Sequence, residues 1–363
     1  MQFRVGIIGC GRRPRTEGST GSGLGHVHAG GYERSADCTI VAAADIKQDN
    51  VDLFCEEHHV PRGYLDYREM LAEEDLDIVS VCVWPGLHAR MVIDAAEAGA
   101  KAVHCEKPMA PTWGEAKRMA AVCQEHDVQL TFGHQRRFVK PFRTAKALLD
   151  TGRIGQLIRL EAFTSNLFDW GTHWFDMMFF YNNEEPVEWV IGQIEGRGGR
   201  SVFGVPVEGQ GLSYFRWQNG VYGLMATGSD VVGPSAESAG STACANRLVG
   251  TKGVIEVQVR DGPDVRLRCE ETAGRWENFE LKETGTGYEQ WCRHVGDSIL
   301  DVVDALKTGR EPELSARKAL QATELIFATY ESSRRHGRVD LPLEIDDSPF
   351  LSMLDSGVVS LAD

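Results

Sequence analysis

The chain has 363 residues, which corresponds to about two domains of the usual length of about 150 residues. Hydrophobic residues make up 42% of it and charged residues 25%, both close to globular averages, so a disordered or fibrous protein is excluded. The net charge of −15 opposes binding to nucleic acid and to anionic membrane surfaces, and neither is an expected partner.

The first predicted element is a buried parallel strand that leads into a glycine turn. Residues 3–9 form a β-branched apolar run, which is typical of a strand buried on both faces. The run continues into Gly9-Cys10-Gly11, where glycines let backbone N–H groups approach a pyrophosphate. We assign Gly25 as the third glycine of this dinucleotide-binding pattern. The 13 intervening residues, 12–24, are then a long insert, and we expect it to form a flap over the cofactor or the substrate entrance.

The second predicted strand, residues 39–45, indicates which dinucleotide is bound. It ends in Asp45, 20 residues after Gly25, where a carboxylate accepts hydrogen bonds from the adenosine ribose hydroxyls. Such a carboxylate repels a 2′-phosphate, so the sequence favours NAD over NADP. The insert also carries arginines that would instead neutralise a 2′-phosphate: Arg12, Arg13 and Arg15.

Further alternation of strands and helices predicts a doubly wound parallel sheet, with its ligand at the carboxyl ends of the strands. The predicted strands are residues 77–83, 102–105 and 128–132, and the predicted helices are residues 89–98 and 112–125.

Lys107 lies in the segment Cys105-Glu106-Lys107-Pro108, directly after the strand at 102–105 and therefore at the ligand edge of the sheet. An ammonium near a substrate oxygen stabilises developing negative charge, and burial can lower its pKa enough for proton transfer. The alternative is a solvated or salt-bridged surface lysine.

A second group of candidate catalytic residues begins at Asp169. His173 follows it by four residues, a spacing that in a helix places a carboxylate next to an imidazole. This is a general-base arrangement, in which the imidazole takes the proton of a substrate hydroxyl. The alternatives are a helix-capping aspartate beside a core histidine, or a metal site formed by Asp169, His173 and Asp176.

Together these motifs resemble the glucose–fructose oxidoreductase/inositol dehydrogenase (Gfo/Idh/MocA) family, and the resemblance spans nearly the whole chain. The most specific feature is Glu-Lys-Pro at 106–108 followed by Asp-x-x-x-His-x-x-Asp at 169–176. The other matching segments are residues 5–11, 84–88, 105–109 and 133–138.

The resemblance implies an α/β fold: a Rossmann doubly wound parallel sheet at residues 1–133, followed by a substrate-binding and oligomerisation domain at 134–363 with a large, mostly antiparallel sheet. It implies catalytic roles for Lys107, Asp169 and His173. The residues expected to line the cofactor are Gly9, Cys10, Gly11, Gly25, His28, Asp45, Trp84, Pro85, His88, Glu106 and Lys107. The residues expected to bind substrate are Lys107, His134, Arg136, Arg137, Asp169, Trp170 and His173. A homodimer or homotetramer through the C-terminal sheet is also implied.

Near the predicted boundary, four cations within eight residues are a candidate site for an acidic sugar; the alternative is a solvated helix face. They are Arg136, Arg137, Lys140 and Arg143.

Beyond residue 155 the pattern changes to longer alternating strands. They are predicted at 157–163, 187–195, 211–217, 221–227, 247–250 and 254–259. Asn219-Gly220 predicts a hairpin between the third and fourth of these strands. Helices follow at 288–308 and 315–334, and we expect an irregular tail after Leu341 with Phe350, Leu351 and Leu354 as a docking patch.

The sequence therefore predicts an NAD-dependent oxidoreductase that removes a hydride from a secondary alcohol carbon of a sugar, glycoside or cyclitol. His173 acts as the base, oriented by Asp169, and Lys107 positions the hydroxyl; an exchange of roles between Lys107 and His173 stays open. One alternative is an NAD-dependent glycosidase that works by transient oxidation, elimination, water addition and re-reduction, without net NADH. A second is a non-catalytic sugar or dinucleotide sensor.

The nine cysteines are odd in number and show no metal-ligand spacing, so we interpret them as reduced thiols and predict no metal site. The chain enters an apolar strand directly after Met1, without a leader-like segment, and the cytoplasm is the expected compartment.

Overall fold

The computed structural model of the chain describes residues 2–14, 16–19, 21–228 and 244–362. The chain divides into two compact units. The first contains residues 1–110, 115–138 and 284–319, and the second contains residues 111–114, 139–283 and 320–363. Each unit therefore draws on separated stretches of sequence. The boundary predicted between residues 133 and 134 stays a prediction.

The first unit is built on a six-stranded parallel sheet with the strand order β3-β2-β1-β4-β5-β6. This order places β1 and β4 next to each other at the point where it reverses, which is the ligand-binding position of doubly wound sheets. The strands are β1 Phe3–Ile8, β2 Cys38–Ala44, β3 Arg62–Tyr64, β4 Ile78–Val81, β5 Ala102–Cys105 and β6 Gln129–Phe132.

The second unit is built on a nine-stranded sheet with the order β16-β15-β14-β13-β7-β12-β11-β8-β17, in which only β7 and β12 pair in parallel. The strands are β7 Leu157–Thr164, β8 Val187–Glu195, β11 Gln210–Trp217, β12 Tyr222–Gly228, β13 Cys244–Gly250, β14 Gly253–Val259, β15 Val265–Cys269, β16 Glu277–Phe279 and β17 Val339–Asp340. A separate hairpin joins β9 Arg200–Val202 and β10 Val205–Val207. The fold class predicted from the sequence is confirmed, as is the hairpin at Asn219-Gly220.

The α-helices of the described residues are α1 Leu24–Tyr32, α2 Gln48–Glu57, α3 Tyr67–Glu73, α4 Pro85–Glu97, α5 Trp113–Glu125, α6 Lys140–Asp150, α7 Gly171–Tyr181, α8 Gly287–Thr308, α9 Ala316–Arg335 and α10 Pro349–Asp355. None of them is both long enough and apolar enough to cross a membrane. The cytoplasmic location stays a prediction.

Helix α8 lies late in the sequence but packs in the first unit, against α1. The two helices approach so closely that a Cβ at Gly31 would lie 2.7 Å from Ile299 Cδ1. Val295, Ile299 and Val303 are buried in one apolar cluster with residues of β1 and α1. Helix α8 thus completes the apolar core that it shares with β1 and α1.

The predicted irregular tail after Leu341 is wrong for part of its length, because Pro349–Asp355 forms α10. Ser348 caps this helix by accepting a hydrogen bond from the Leu351 amide. Phe350 is 1% exposed and stacks on Tyr330 of α9 with ring centroids 5.3 Å apart. Burial of this aromatic ring docks the segment on α9.

Candidate active site

The turn after β1 has the backbone geometry of a phosphate-binding loop. Gly9 has φ +91°, and a Cβ there would lie 2.6 Å from the Cys82 carbonyl oxygen. Gly11 has φ +59° and open space around the position of a Cβ. At Gly25, which is in α1, a Cβ would lie 2.5 Å from the Gly9 carbonyl oxygen. The glycine at position 25 therefore lets the helix start approach the turn, despite the long insert.

Asp45, directly after β2, is held beside this turn by three hydrogen bonds. The Gly11 amide donates to Oδ2 at 2.9 Å, and the Lys47 amide and Asn50 Nδ2 both donate to Oδ1 at 3.0 Å. The adjacent side chain of Ile46 is 87% exposed. A fixed, partly exposed carboxylate at a strand end, next to an open glycine turn, fits the ribose and pyrophosphate of a dinucleotide.

The described residues of the insert lie against α2. Arg12 Nε donates to Asn50 Oδ1 at 3.1 Å, and Arg13 Nε donates to Glu57 Oε1 at 2.6 Å. An open cavity of about 590 Å³, lined by Arg12, Lys47 and Asn50 among others, lies beside Asp45. Arg15 lies outside the described residues, and the function of the insert as a flap stays a prediction.

Lys107 follows β5 at the same edge of the sheet, and its backbone is tied to a buried network. The Lys107 amide donates to Glu106 Oε2 at 3.2 Å, and Glu106 Oε1 lies 3.0 Å from His28 Nε2. His28 is fully buried, and its Nδ1 lies 2.8 Å from Ser80 Oγ. Burial by itself would raise the pKa of Glu106, but the hydrogen bond and charge of His28, together with Lys107, hold that pKa below its usual value.

His88 joins the ends of β4 and β5. Its Nε2 lies 3.0 Å from the Val83 carbonyl oxygen and its Nδ1 lies 2.9 Å from the Pro108 carbonyl oxygen. Burial lowers the pKa of this histidine, against the effect of the carbonyl contacts. Pro85 begins α4, whereas Trp84 is 51% exposed at the sheet edge. Of these predicted cofactor residues, His88 is placed to position the backbone beside Lys107, and Trp84 presents a free aromatic surface.

Asp169 and His173 belong to the second unit, on the segment that leads into α7. The helix begins at Gly171, so Asp169 lies in the turn before it and His173 lies in its first turn. Both side chains are buried, at 6% and 3% exposure. The Asp169 amide donates to Asn166 Oδ1 at 2.7 Å, which fixes the turn. The Trp170 and His173 rings are 6.4 Å apart.

Glu208, which the sequence did not indicate, supports the turn at Asn166–Trp170 through hydrogen bonds. Its Oε1 accepts hydrogen bonds from the Leu167 amide and from Thr227 Oγ1, and its Oε2 accepts one from Tyr330 Oη at 2.7 Å. Burial raises the pKa of Glu208 to about 7, partly offset by these hydrogen bonds. No sequence motif marks a glutamate that acts through contacts 41 and 122 residues away.

Two of the four cations at residues 136–143 are more buried than they would be on a solvated helix face. Arg137 is fully buried in the one-turn 3₁₀ helix Gln135–Phe138, and its guanidinium lies 3.3 Å from Glu313 Oε1. Burial lowers the pKa of Arg136 to about 10. His134 is 1% exposed, whereas Lys140 and Arg143 are exposed. Substrate binding by His134, Arg136 and Arg137 stays a prediction.

Comparison with known proteins identifies the first unit directly. Residues 3–134 match the model of the oxidoreductase family with an NAD-binding Rossmann fold, Gfo/Idh/MocA. Myo-inositol 2-dehydrogenase of Thermotoga maritima is 31% identical over 154 residues, which is 42% of each chain. The rhizopine catabolism protein MocA of Rhizobium meliloti is 26% identical over 72% of this chain and 80% of that protein. The matched region thus spans less than half the length of the inositol dehydrogenase.

Solved structures share the fold of both units. Levoglucosan dehydrogenase, in complex with NADH and levoglucosan, superposes with a TM-score of 0.78 at 18% identity, covering 94% of this chain and all of that one. The WlbA dehydrogenase of Bordetella pertussis, with NADH and UDP-GlcNAcA, gives a TM-score of 0.72 at 21% identity over 95% of this chain and 100% of that one. The NAD-binding Rossmann fold predicted from the sequence is confirmed. Residues 3–134 therefore match the NAD-binding Rossmann part of the Gfo/Idh/MocA oxidoreductase family.

Proposed function

We propose that the chain is an NAD-dependent oxidoreductase acting on a secondary alcohol carbon of a sugar, glycoside or cyclitol. The observation that carries this proposal is the position of Lys107. It follows β5 at the carboxyl edge of the parallel sheet, the edge that also carries the Gly9–Gly11 turn after β1 and Asp45 after β2. An ammonium at this edge is suited to a substrate oxygen presented to a bound dinucleotide.

When bound, the nicotinamide supplies the hydride-accepting chemistry. Lys107 positions the substrate hydroxyl and offsets negative charge on its oxygen, and His173 accepts the hydroxyl proton. Asp169 orients the imidazole and stabilises its protonated form. With a dinucleotide bound to accept the hydride, oxidation of the alcohol to a carbonyl would require only that His173 take up the hydroxyl proton while Lys107 holds the oxygen. The buried positions of Asp169 and His173 support these roles, because an acid–base pair shielded from water holds its geometry.

For the cofactor, we propose NAD rather than NADP. The carboxylate of Asp45 is fixed by the Gly11 and Lys47 amides, so it cannot turn away from a 2′-phosphate without losing both hydrogen bonds. For the substrate, the proposal follows the two comparisons: one relative is named for myo-inositol, and one structure contains levoglucosan.

We also propose a homodimer or homotetramer formed through the nine-stranded sheet. One face of this sheet carries a row of apolar side chains from β8, β11 and β12. Tyr214 pairs with Ile191 on one side and Leu224 on the other, and Ile191 and Tyr214 are 47% and 37% exposed. The same row continues across the sheet as ion-paired residues: Glu161, Arg247, Glu256 and Arg266. An apolar patch bordered by charge is typical of an interface between identical chains.

The test is a panel of cyclitols, sugars and aryl glycosides, acidic ones included, in which NADH absorbance and aglycone release are followed together. The proposal predicts substrate-dependent NADH accumulation with at least one polyol. Aglycone release without NADH accumulation would instead identify a redox-assisted glycosidase. Binding of NAD and sugar without turnover over the whole panel would identify a sensor.

A further inference from the structure

Two histidines and a glutamate in the first unit, none of them assigned to catalysis, direct their ligand atoms at one another. His26 Nδ1 in α1 lies 3.0 Å from His58 Nε2 and 3.2 Å from Glu57 Oε2 at the end of α2. All three donor atoms lie within 4.8 Å of one another. The side chains of His26 and His58 are 3% and 4% exposed, and that of Glu57 is 39% exposed. The cluster is therefore firmly positioned and open to solvent on one side.

A second carboxylate fixes the orientation of His58. Its Nδ1 lies 2.6 Å from Glu33 Oε1, so the ring donates its Nδ1 hydrogen to that carboxylate. In the neutral ring, Nε2 then carries a lone pair directed at His26. A histidine whose second nitrogen donates to a carboxylate is the usual arrangement of histidine ligands in metal sites.

His26 directs its Nδ1 at the same point. Its Nδ1 faces an imidazole nitrogen and a carboxylate oxygen, both of which are acceptors once His58 donates to Glu33, so Nδ1 carries the ring hydrogen in the metal-free chain. A metal ion would take the place of that hydrogen, which moves to Nε2 of the same ring.

We propose that His26, Glu57 and His58 bind one divalent transition metal ion of the zinc class, with Glu33 orienting His58. Two imidazole nitrogens and one carboxylate oxygen are a common zinc ligand set that leaves a fourth position for water. In a tetrahedral site the ligand atoms are about 3.3 Å apart, close to the separations of His26 Nδ1 from its two partners.

The charges around the cluster suit a dication. Glu57 and Glu33 supply two negative charges, and Arg13 of the insert supplies one positive charge. Arg13 Nε donates to Glu57 Oε1, which leaves Oε2 for the metal. The aromatic ring of Phe54 covers both imidazoles, with centroids 5.0 Å from His26 and 4.6 Å from His58. A bound ion would thus join α1, α2 and, through Arg13, the insert. The proposal is independent of the proposed function.

The experiment titrates the full-length, chelator-treated chain with Zn²⁺ in competition with a chromophoric chelator, and repeats the titration with Co²⁺ to record the visible spectrum. The variants are His58→Gln, Glu57→Gln and Glu33→Gln. The control is His59→Asn, which removes the neighbouring exposed histidine and keeps a residue tolerant of its positive φ of 53°. Circular dichroism checks the fold of each chain.

The proposal predicts one equivalent of metal, an affinity at least about tenfold weaker in each of the three variants, and no change in His59→Asn. The Co²⁺ spectrum should lack thiolate charge-transfer bands. If His58→Gln fails to fold, the titrations of Glu57→Gln and Glu33→Gln test the proposal. These two side chains are 39% and 48% exposed, so we expect both variants to fold. Absence of binding, equal affinity in all variants, or thiolate bands from one of the cysteines would overturn the proposal and leave the cluster as a hydrogen-bonded structural network.

Discussion

The turn that carries the nucleotide-binding glycines and the turn that carries Asp169 are held in place by different means. Gly9 and Gly25 act through the absence of side chains, because backbone atoms approach where a Cβ would lie, and Gly11 acts through its positive φ of 59°. The turn at Asn166–Trp170 is instead held from below by Glu208, a charged side chain on a distant stretch of sequence.

This difference determines what each region tolerates. A glycine turn depends on local backbone geometry and is insensitive to pH. A turn held by a buried carboxylate depends on the protonation state of that group and on the partners that satisfy it. We expect the substitutions below to test this contrast, from the largest effect to the smallest.

The largest effect is expected at Glu208. Glu208→Ala leaves the Leu167 amide and the Tyr330 hydroxyl without their buried acceptor and opens a cavity, so we expect a loss of about 3 kcal/mol in the free energy of unfolding. Chemical denaturation of the variant and the wild type measures this loss. A change below about 1 kcal/mol would contradict the supporting role.

The same residue makes stability depend on pH. Because burial raises the folded-state pKa of Glu208 to about 7 from 4.5, the folded state binds more protons between these values. Stability should therefore fall by about 3 kcal/mol as the pH rises from 4.5 to 7. In Glu208→Gln this component should vanish, so the difference between the two unfolding free energies changes with pH. If the unfolding free energies of the wild type and Glu208→Gln instead changed in parallel with pH, Glu208 would have an ordinary carboxyl pKa and the prediction would be wrong.

For the glycine turn, we expect Gly25→Ala to destabilise the chain by about 1–3 kcal/mol at any pH between 5 and 8, because its Cβ would lie 2.5 Å from the Gly9 carbonyl oxygen. NAD affinity, measured by calorimetry, should fall with it. The matched control is Gly30→Ala on the same helix, where a Cβ meets nothing within 4 Å and the helix gains about 0.5–1 kcal/mol. Equal effects of the two substitutions would refute the close approach.

A smaller effect is expected at Asp45. Asp45→Ala removes the carboxylate that we propose to bind the ribose and that accepts a hydrogen bond from the Gly11 amide, so the NAD dissociation constant should rise about tenfold while that for NADP changes less. Asp49→Ala, whose side chain is 84% exposed, is the control. An unchanged ratio of the two dissociation constants would argue against NAD selection by Asp45.

The smallest effect is expected at the start of α8. Thr286 and Glu289 form a reciprocal capping box there, so Thr286→Ala should cost about 1 kcal/mol. Because α8 packs in the first unit, amide hydrogen exchange should rise in α1 and stay unchanged in α7. Thr308→Ala at the other end of α8 is the control, expected within about 0.5 kcal/mol of the wild type. Faster amide exchange in α7 would contradict the assignment of α8 to the first unit.

The nucleotide-binding region could be predicted from the sequence because its determinants are local. The apolar run of β1, the glycines after it and the acid after β2 have fixed spacings that follow from backbone geometry. The insert lengthened one spacing, yet Gly25 still meets the turn. Short elements such as β3 and the polar helices α2 and α3 have weak periodicity and were not predicted.

The remaining features depend on tertiary contacts. Glu208 supports a turn that lies 41 residues earlier in the chain, and His26 meets His58 from a helix 32 residues away. The pairing of α8 with α1 joins residues more than 250 positions apart. No spacing rule brings such residues together before the fold is known, so an isolated glutamate or histidine carries no readable signal.

The most direct test of the central claim is the rate of NADH formation at saturating NAD, with the substrate found in the panel, for His173→Asn and Lys107→Met. The controls are His126→Asn and Lys282→Met, which change exposed residues of the same types. The account predicts a fall of about 10²–10⁴-fold in turnover for both variants, with the chain folded and the controls at the wild-type rate. Turnover close to that of the wild type in either His173→Asn or Lys107→Met would contradict it.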